Sequence, residues 1–246
     1  MTMKTSKPLS LLLSLLTALL VLSASVAVPL LCRPFYYAHI GPLCLAEYTG
    51  LTVDQIRQAF DQVMDFCLGL RPDFAAGVLW FSQSGADHFA DVRKLFLLDL
   101  WVLGLSLVLL VCAFVYCRGK HVRPYCFRGR GPGFWAAAGL GAAFLTVGGL
   151  ATLDFDRAFV IFHALFFPGK DNWIFDWRTD PVILILPEKF FRNCAILILA
   201  LLLVWCAILI AADLWAGKRR KKQAQIAAVA AACGGDCSQC SGCGGT

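Results

Sequence analysis

The chain has 246 residues, 59% of them hydrophobic and 15% charged, with a formal net charge of +6. That balance excludes an ordinary soluble domain, in which about a quarter of residues carry charge, and points to a chain folded in lipid. The surplus of positive charge sits beside apolar runs, where it contacts anionic membrane lipid, and implies no nucleic-acid partner.

Four stretches qualify as transmembrane helices: about Leu9–Leu31, Leu95–Cys117, Phe134–Leu153 and Cys194–Trp215. Each is near the roughly 20 apolar residues that cross a hydrocarbon core of about 30 Å. Backbone groups in lipid must pair within their own segment, so the expected fold class is all-α, an integral membrane protein with four transmembrane helices. Lys4 and Lys7 precede the first span, Arg118, Lys120, Arg123, Arg128 and Arg130 follow the second, and Lys218, Arg219, Arg220, Lys221 and Lys222 follow the last. The positive-inside rule places all three groups, and so both termini, in the cytoplasm. Loops 32–94 and 154–193, which hold nearly all the acids, then lie outside with short helices of their own. The expected division is a four-helix transmembrane domain over 1–217 and a basic, then Cys- and Gly-rich, cytoplasmic tail over 218–246. Ser23-Ala24-Ser25-Val26-Ala27 has signal-peptide character, but the apolar run continues to Leu31, which favours a retained anchor.

In the first outer loop, Phe35, Tyr36 and Tyr37 have the make-up of an interfacial aromatic belt. Thr52 followed by Gln55 three positions on predicts a capping box. Val53, Ile56, Phe60, Val63, Met64 and Cys67 then recur at helical spacing opposite Asp54, Arg57, Asp61 and Asp65, an amphipathic helix that lies on the outer membrane surface or on the protein's own outer face. Asp87-His88-Phe89-Ala90-Asp91 runs straight into the second span. On a helix, His88 and Asp91 share a face, so that Asp91 is placed to accept from one imidazole nitrogen and fix its tautomer. The plainer alternative is a helix-start capping or interfacial ion pair. The third span is rich in Ala and Gly, which serve close helix packing.

In the second outer loop, Phe159 to Phe167 is apolar apart from His163. A histidine in such a setting is held neutral and ready to act as a base. Pro168-Gly169 ends the helix. Asp171, Trp173, Asp176, Trp177, Arg178 and Asp180 follow; this density of Asp, Arg and Trp beside a buried histidine marks a candidate site, while either tryptophan alone is an ordinary belt residue. Cys32, Cys44, Cys67 and Cys194 fall on the outer side, where a disulfide is permitted but connectivity cannot be deduced. Cys233, Cys237, Cys240 and Cys243 in the tail have the make-up of a zinc or iron–sulfur ligand set.

Two motifs, SGADHFADVRKLF at 84–96 and FHALFFPGKDNWIFDWRTDPVILILPEKFF at 162–191, resemble the four-helix integral membrane family that includes the lipoprotein intramolecular transacylases. The resemblance covers the chain up to the Cys-rich tail; Ser82 to Asp87 and Pro168-Gly169-Lys170 are local departures from it. It implies a multi-pass protein of the bacterial cell membrane with an extracytoplasmic active face. It also implies an acyltransferase that moves an acyl chain from the diacylglyceryl group of a bacterial lipoprotein to the amine of the lipoprotein's N-terminal Cys. The two catalytic histidines of the family fall on His88 and His163. Asp91, Arg157, Asp171, Trp173, Asp176 and Arg178 are then the supporting candidates, and the partners are diacylglyceryl-modified lipoproteins and membrane lipid. Acyl transfer of this kind requires no cofactor, since the substrate brings its own nucleophile and two histidines can divide the proton transfers. A metal-dependent membrane hydrolase using His88, His163 and nearby Asp ligands, and a non-catalytic membrane adaptor, are the competing readings.

Overall fold

The computed structural model describes residues 5–233. Among these, four helices are long and apolar enough to cross a membrane: α1 (Lys7–Leu31), α5 (Gln83–Lys120), α6 (Pro132–Leu153) and α9 (Glu188–Cys233). The chain is an all-α, four-helix integral membrane protein. The remaining helices are α2 (Arg33–Ile40), α3 (Leu45–Thr49), α4 (Val53–Cys67), α7 (Phe155–Phe166) and α8 (Val182–Ile185). A two-residue parallel pair, β1 (Thr5–Ser6) with β2 (Arg123–Pro124), ties the start of the chain to the α5–α6 loop.

α1 is the central post, packed against α5, α6 and α9, while α6 also packs along α9. Val21, Ala137, Leu202 and Cys206 form the small core between them. The small residues of the third span do allow close approach, because a Cβ on Gly148 would lie 2.6 Å from Leu199 Cδ2. Hydroxyls within the spans bond back to the preceding turn, as Ser25 Oγ does to the Val21 carbonyl at 2.7 Å, which satisfies them without a partner in lipid. At the basic end of the bundle Asp213 accepts from Gly131 N at 2.9 Å and stands 3.6 Å from both Arg130 and Arg220. These contacts fasten the α5–α6 loop to α9.

The larger core lies at the other end, under the two long loops. The expected capping box forms: Thr52 Oγ1 accepts from Gln55 N at 3.2 Å and Gln55 Oε1 accepts from Thr52 N at 2.9 Å. α4 then buries Ile56, Phe60, Val63, Met64 and Cys67, while Val53 stays exposed. Its apolar face is therefore consumed by the protein itself. Tyr36 of α2 stacks on Phe60 with ring centroids 3.7 Å apart, and its hydroxyl donates to the Ile185 carbonyl at 2.7 Å, joining α2, α4 and α8.

α5 has 38 residues, about 57 Å at 1.5 Å per residue, so it outruns a bilayer core of about 30 Å. Its first turns rise into this larger core, where α4 packs on them, and they carry His88. The four cysteines expected on the outer side, Cys32, Cys44, Cys67 and Cys194, are free thiols. In the tail, Cys237, Cys240 and Cys243 lie outside the described residues, and with them the proposed metal set completed by Cys233.

Candidate active site

Ser82 starts α5: its hydroxyl accepts from Gly85 N at 3.0 Å, the bond expected of an N-cap serine. The cap is itself gripped from the second loop. Asp180, 4% exposed, accepts from Ser82 N and Ser82 Oγ at 2.8 Å each. This clamp fixes the loop after α7 against the helix that carries His88. The loop comes so near that a Cβ on Gly85 would lie 2.2 Å from Asp180 Oδ1; only glycine fits.

α7 begins at Asp154, whose carboxylate accepts from Arg157 N at 2.9 Å. Its sole buried side chain is His163. Val160, Ile161, Phe162, Leu165 and Phe166 are all exposed, an apolar surface suited to lipid on a helix that leaves the end of α6. The helix stops after Phe166, and Gly169 takes the left-handed conformation with φ +72°.

His88 and His163 meet beneath this loop. Their ring centroids are 5.9 Å apart with planes inclined at 30°, and each residue is 6% exposed. Trp173 stacks on His163 at 4.4 Å and Phe159 lies 4.3 Å from it. Phe167 touches both rings, at 5.1 Å from His88 and 5.7 Å from His163, while Phe175 covers His88 at 5.4 Å. The two imidazoles thus share an aromatic box. His163 Nδ1 is 2.8 Å from the Phe159 carbonyl oxygen. A carbonyl only accepts, so Nδ1 carries the proton and Nε2 is the basic atom. Burial lowers the pKa of His163, partly offset by that carbonyl. Burial, then the proximity of His163, pushes His88 down to about 4. Both rings are neutral at physiological pH.

Asp91 departs from its expected role. Its carboxylate pairs with Lys94 at 3.0 Å and with Lys170, and accepts from Asn172 Nδ2 at 3.4 Å. Burial works against its ionisation, yet the hydrogen bonds from Lys170, Lys94 and Asn172 hold its carboxyl at about 2. Asp91 therefore binds the loop over the histidines and makes no direct hydrogen bond to His88. The reason is reach: Lys170 and Asn172 arrive from a separate segment and take the carboxylate first. Alongside lies a polar recess of about 390 Å³ lined by Asp87, Asp91, Lys94, Lys170 and Asn172.

Of the other supporting candidates, Trp173 belongs to the box, its indole N–H spent on the Lys170 carbonyl at 3.1 Å. Arg157, Asp171, Asp176 and Arg178 are exposed and stand apart from the histidines. Asp176 makes a turn, accepting from Arg178 N at 2.9 Å. The Arg178 carbonyl accepts from Trp80 Nε1 at 3.0 Å, while its guanidinium lies over Trp177. Sequence reasoning missed Lys170, Asn172, Phe175 and the clamp role of Asp180. Their proximity to His163 in the chain was the available signal; which way each side chain turns was not. His39 Nδ1 donates to the Phe35 carbonyl within α2, and His121 caps the far end of α5. Among the described residues, no three His, Cys, Asp or Glu side chains converge to hold a metal ion.

These features define a multi-pass membrane protein with a buried histidine pair at one end of its bundle. Residues 11–191, well over half of the chain, match the model of the Lit family, the lipoprotein intramolecular transacylases. The chain belongs to this family of acyltransferases. In fold it is similar to the in meso structure of the membrane integral lipoprotein intramolecular transacylase Lit from Bacillus cereus, with a TM-score of 0.77 at 22% identity over 87% of this chain and 96% of that one. Two variants of the Bacillus cereus protein, in which one histidine is replaced by arginine or by alanine, match with TM-scores of 0.72 at 21% identity, covering 87% of this chain and 93% and 94% of theirs. A comparison with curated protein sequences found no match.

Proposed function

We propose that this chain moves an acyl chain within a diacylglyceryl-modified lipoprotein, from the glycerol to the amine of the N-terminal Cys, with His88 and His163 as the acid–base pair. The observation that carries this reading is the pair itself: two histidines far apart in sequence, brought to 5.9 Å and buried among aromatic rings. The amine nitrogen attacks the ester carbonyl, the new C–N bond forms, and the C–O bond to glycerol breaks. One proton must leave nitrogen and one must reach the departing glycerol oxygen. A neutral histidine accepts the first, which the attached nitrogen releases readily once it has become cationic. That proton then passes to the other ring, whose imidazolium delivers it to the departing glycerol oxygen, and both histidines are left neutral as they began.

Water must be kept out, or hydrolysis would compete with the amine. Phe159, Phe167, Trp173 and Phe175 supply the dry walls. The apolar exposed face of α7 supports a box at the level of the lipid that holds the substrate's acyl chains. The site lies on the extracytoplasmic face of the membrane, because α5 runs from His88 down to the arginine- and lysine-rich segment that the positive-inside rule assigns to the cytoplasm.

The test is mass spectrometry of lipoprotein N-termini in cells carrying the chain or its variants. His88→Ala and His163→Ala should each lose N-acyl, monoacylglyceryl product by about 10²–10⁴-fold, the usual effect of removing a positioned acid–base group. His39→Ala and His121→Ala should convert normally. Wild-type conversion by either of the first two variants would make the histidines structural.

A further inference from the structure

One nitrogen of His88 is without a role. Nδ1 is buried and has no hydrogen-bond partner, and on the covering loop Asn172 Oδ1 is likewise buried and unpartnered. The two side chains are near enough for Asn172 to raise the basicity of His88, though neither atom has a formed hydrogen bond. Their chemistry is complementary. Asn172 Nδ2 donates to Asp91 Oδ2 at 3.4 Å, and Asp91 is an ionised carboxylate held by Lys94 and Lys170. A carboxylate accepts and does not donate, so the amide must present its nitrogen to Asp91 and its oxygen elsewhere. That oxygen requires a donor, and a neutral imidazole has one N–H to give.

We propose that Asn172 is the positioning residue for His88, its Oδ1 accepting from His88 Nδ1–H and leaving Nε2 as the basic atom. The assignment rests on the acyl-transfer reading above and deepens it. It gives both histidines the same design, since His163 already spends its Nδ1–H on the Phe159 carbonyl. It also gives Asp91 its purpose. The carboxylate acts on His88 through Asn172, orienting the amide while Lys170 keeps the loop in place. Hydrogen bonds of this kind are often long in an unliganded site and tighten around substrate.

The experiment uses the full chain in detergent with a synthetic diacylglyceryl lipopeptide, following conversion against pH, with ¹⁵N-histidine NMR on the same samples. His88 is assigned by the resonance lost in His88→Gln. The wild type should show His88 protonated at Nδ1. Asn172→Ala should lower kcat by about tenfold to a hundredfold, the order of losing a histidine-orienting partner, with KM unchanged and the tautomer mixed. Asn172→Asp preserves volume and should recover kcat at high pH. It should also move the acid limb up by about one pH unit or more, because a carboxylate favours the imidazolium. Unchanged kcat and tautomer in Asn172→Ala, or an unmoved acid limb in Asn172→Asp, overturns the assignment. A wild-type chain that converts no lipopeptide refutes the acyl-transfer reading instead, and the NMR tautomer still decides the Asn172–His88 bond.

Discussion

Replacing Gly85 by alanine should disable the site while leaving the transmembrane bundle intact. The new Cβ would lie 2.2 Å from Asp180 Oδ1, 2.9 Å from Asp180 Cγ and 3.2 Å from Phe175 Cε1. Asp180 cannot swing aside cheaply, being 4% exposed and held at 2.8 Å by Ser82 N, Ser82 Oγ and Thr179 Oγ1. Relief of the clash requires a shift of about 1 Å, enough to break good geometry in bonds of this length. Each hydrogen bond to a charged group contributes about 1.5–3 kcal/mol, against a gain of up to about 1 kcal/mol from alanine's helix propensity. The net loss is on the order of 1–4 kcal/mol. A displacement of about 1 Å near a reacting centre also costs about 10²-fold in rate, and here it is transmitted to His88 through Phe175 and the first turns of α5. The assay is thermal unfolding of the purified protein together with lipopeptide conversion. Asp180→Ala removes the obstructing carboxylate, so adding Gly85→Ala to it should cost little more, a strong coupling in the double-mutant cycle. Wild-type Tm and rate in Gly85→Ala, or losses that simply add in the double variant, would refute the close approach.

Acidification supplies a second prediction. His88 titrates near 4 in the folded chain against 6.5 when unperturbed, so between those values the unfolded chain binds more protons. The stability this group contributes is fully present above about pH 6.5 and is lost as pH falls toward 4; His88→Gln should flatten the fall of Tm over that window, and an unchanged slope would contradict the burial argument. Asp91, whose carboxyl is held at about 2, loses its own contribution mainly below pH 4, so its slope overlaps only the acid end of that window. A cysteine placed at the exposed position 171 should react with an impermeant thiol reagent in intact cells and one at 125 should not; the reverse pattern would invert the proposed topology. Ending the chain at Lys222 should leave acyl transfer unchanged, and loss of activity in a truncated protein that still inserts would bring the cysteine tail into the mechanism.

Much of the fold was legible because lipid leaves few choices. A run such as Leu95–Cys117 must be a helix to satisfy its own backbone, and its length is set by the bilayer. What extended beyond lipid was less legible. The hydropathy of α5 marks where it is apolar, but not that it continues upward to Ser82, because the polar turn Gln83 to Asp87 reads equally as loop. The capping box at Thr52 and Gln55 was readable since both halves are local and three positions apart.

The candidate site divides along the same line. His88 and His163 were visible because a histidine in an apolar setting is conspicuous, and their meeting followed from each abutting a span at the same end. The expected His88–Asp91 bond failed for a reason no helical spacing contains: an i, i+3 partner shares a face, but a cation arriving from elsewhere competes for it. Lys170 and Asn172 won that competition because Gly169 turns the chain at φ +72° and Asp180 pins the loop to Ser82. Those are contacts across nearly a hundred residues, and nothing local announces them. Asp171 and Asp176, charged and close to His163 in sequence, proved exposed, while the more distant Asp180 and the uncharged Asn172 turned inward. In a site built to exclude water, the polar groups that face inward are those with a buried partner to satisfy them, and partner geometry is a property of the folded loop rather than of its composition.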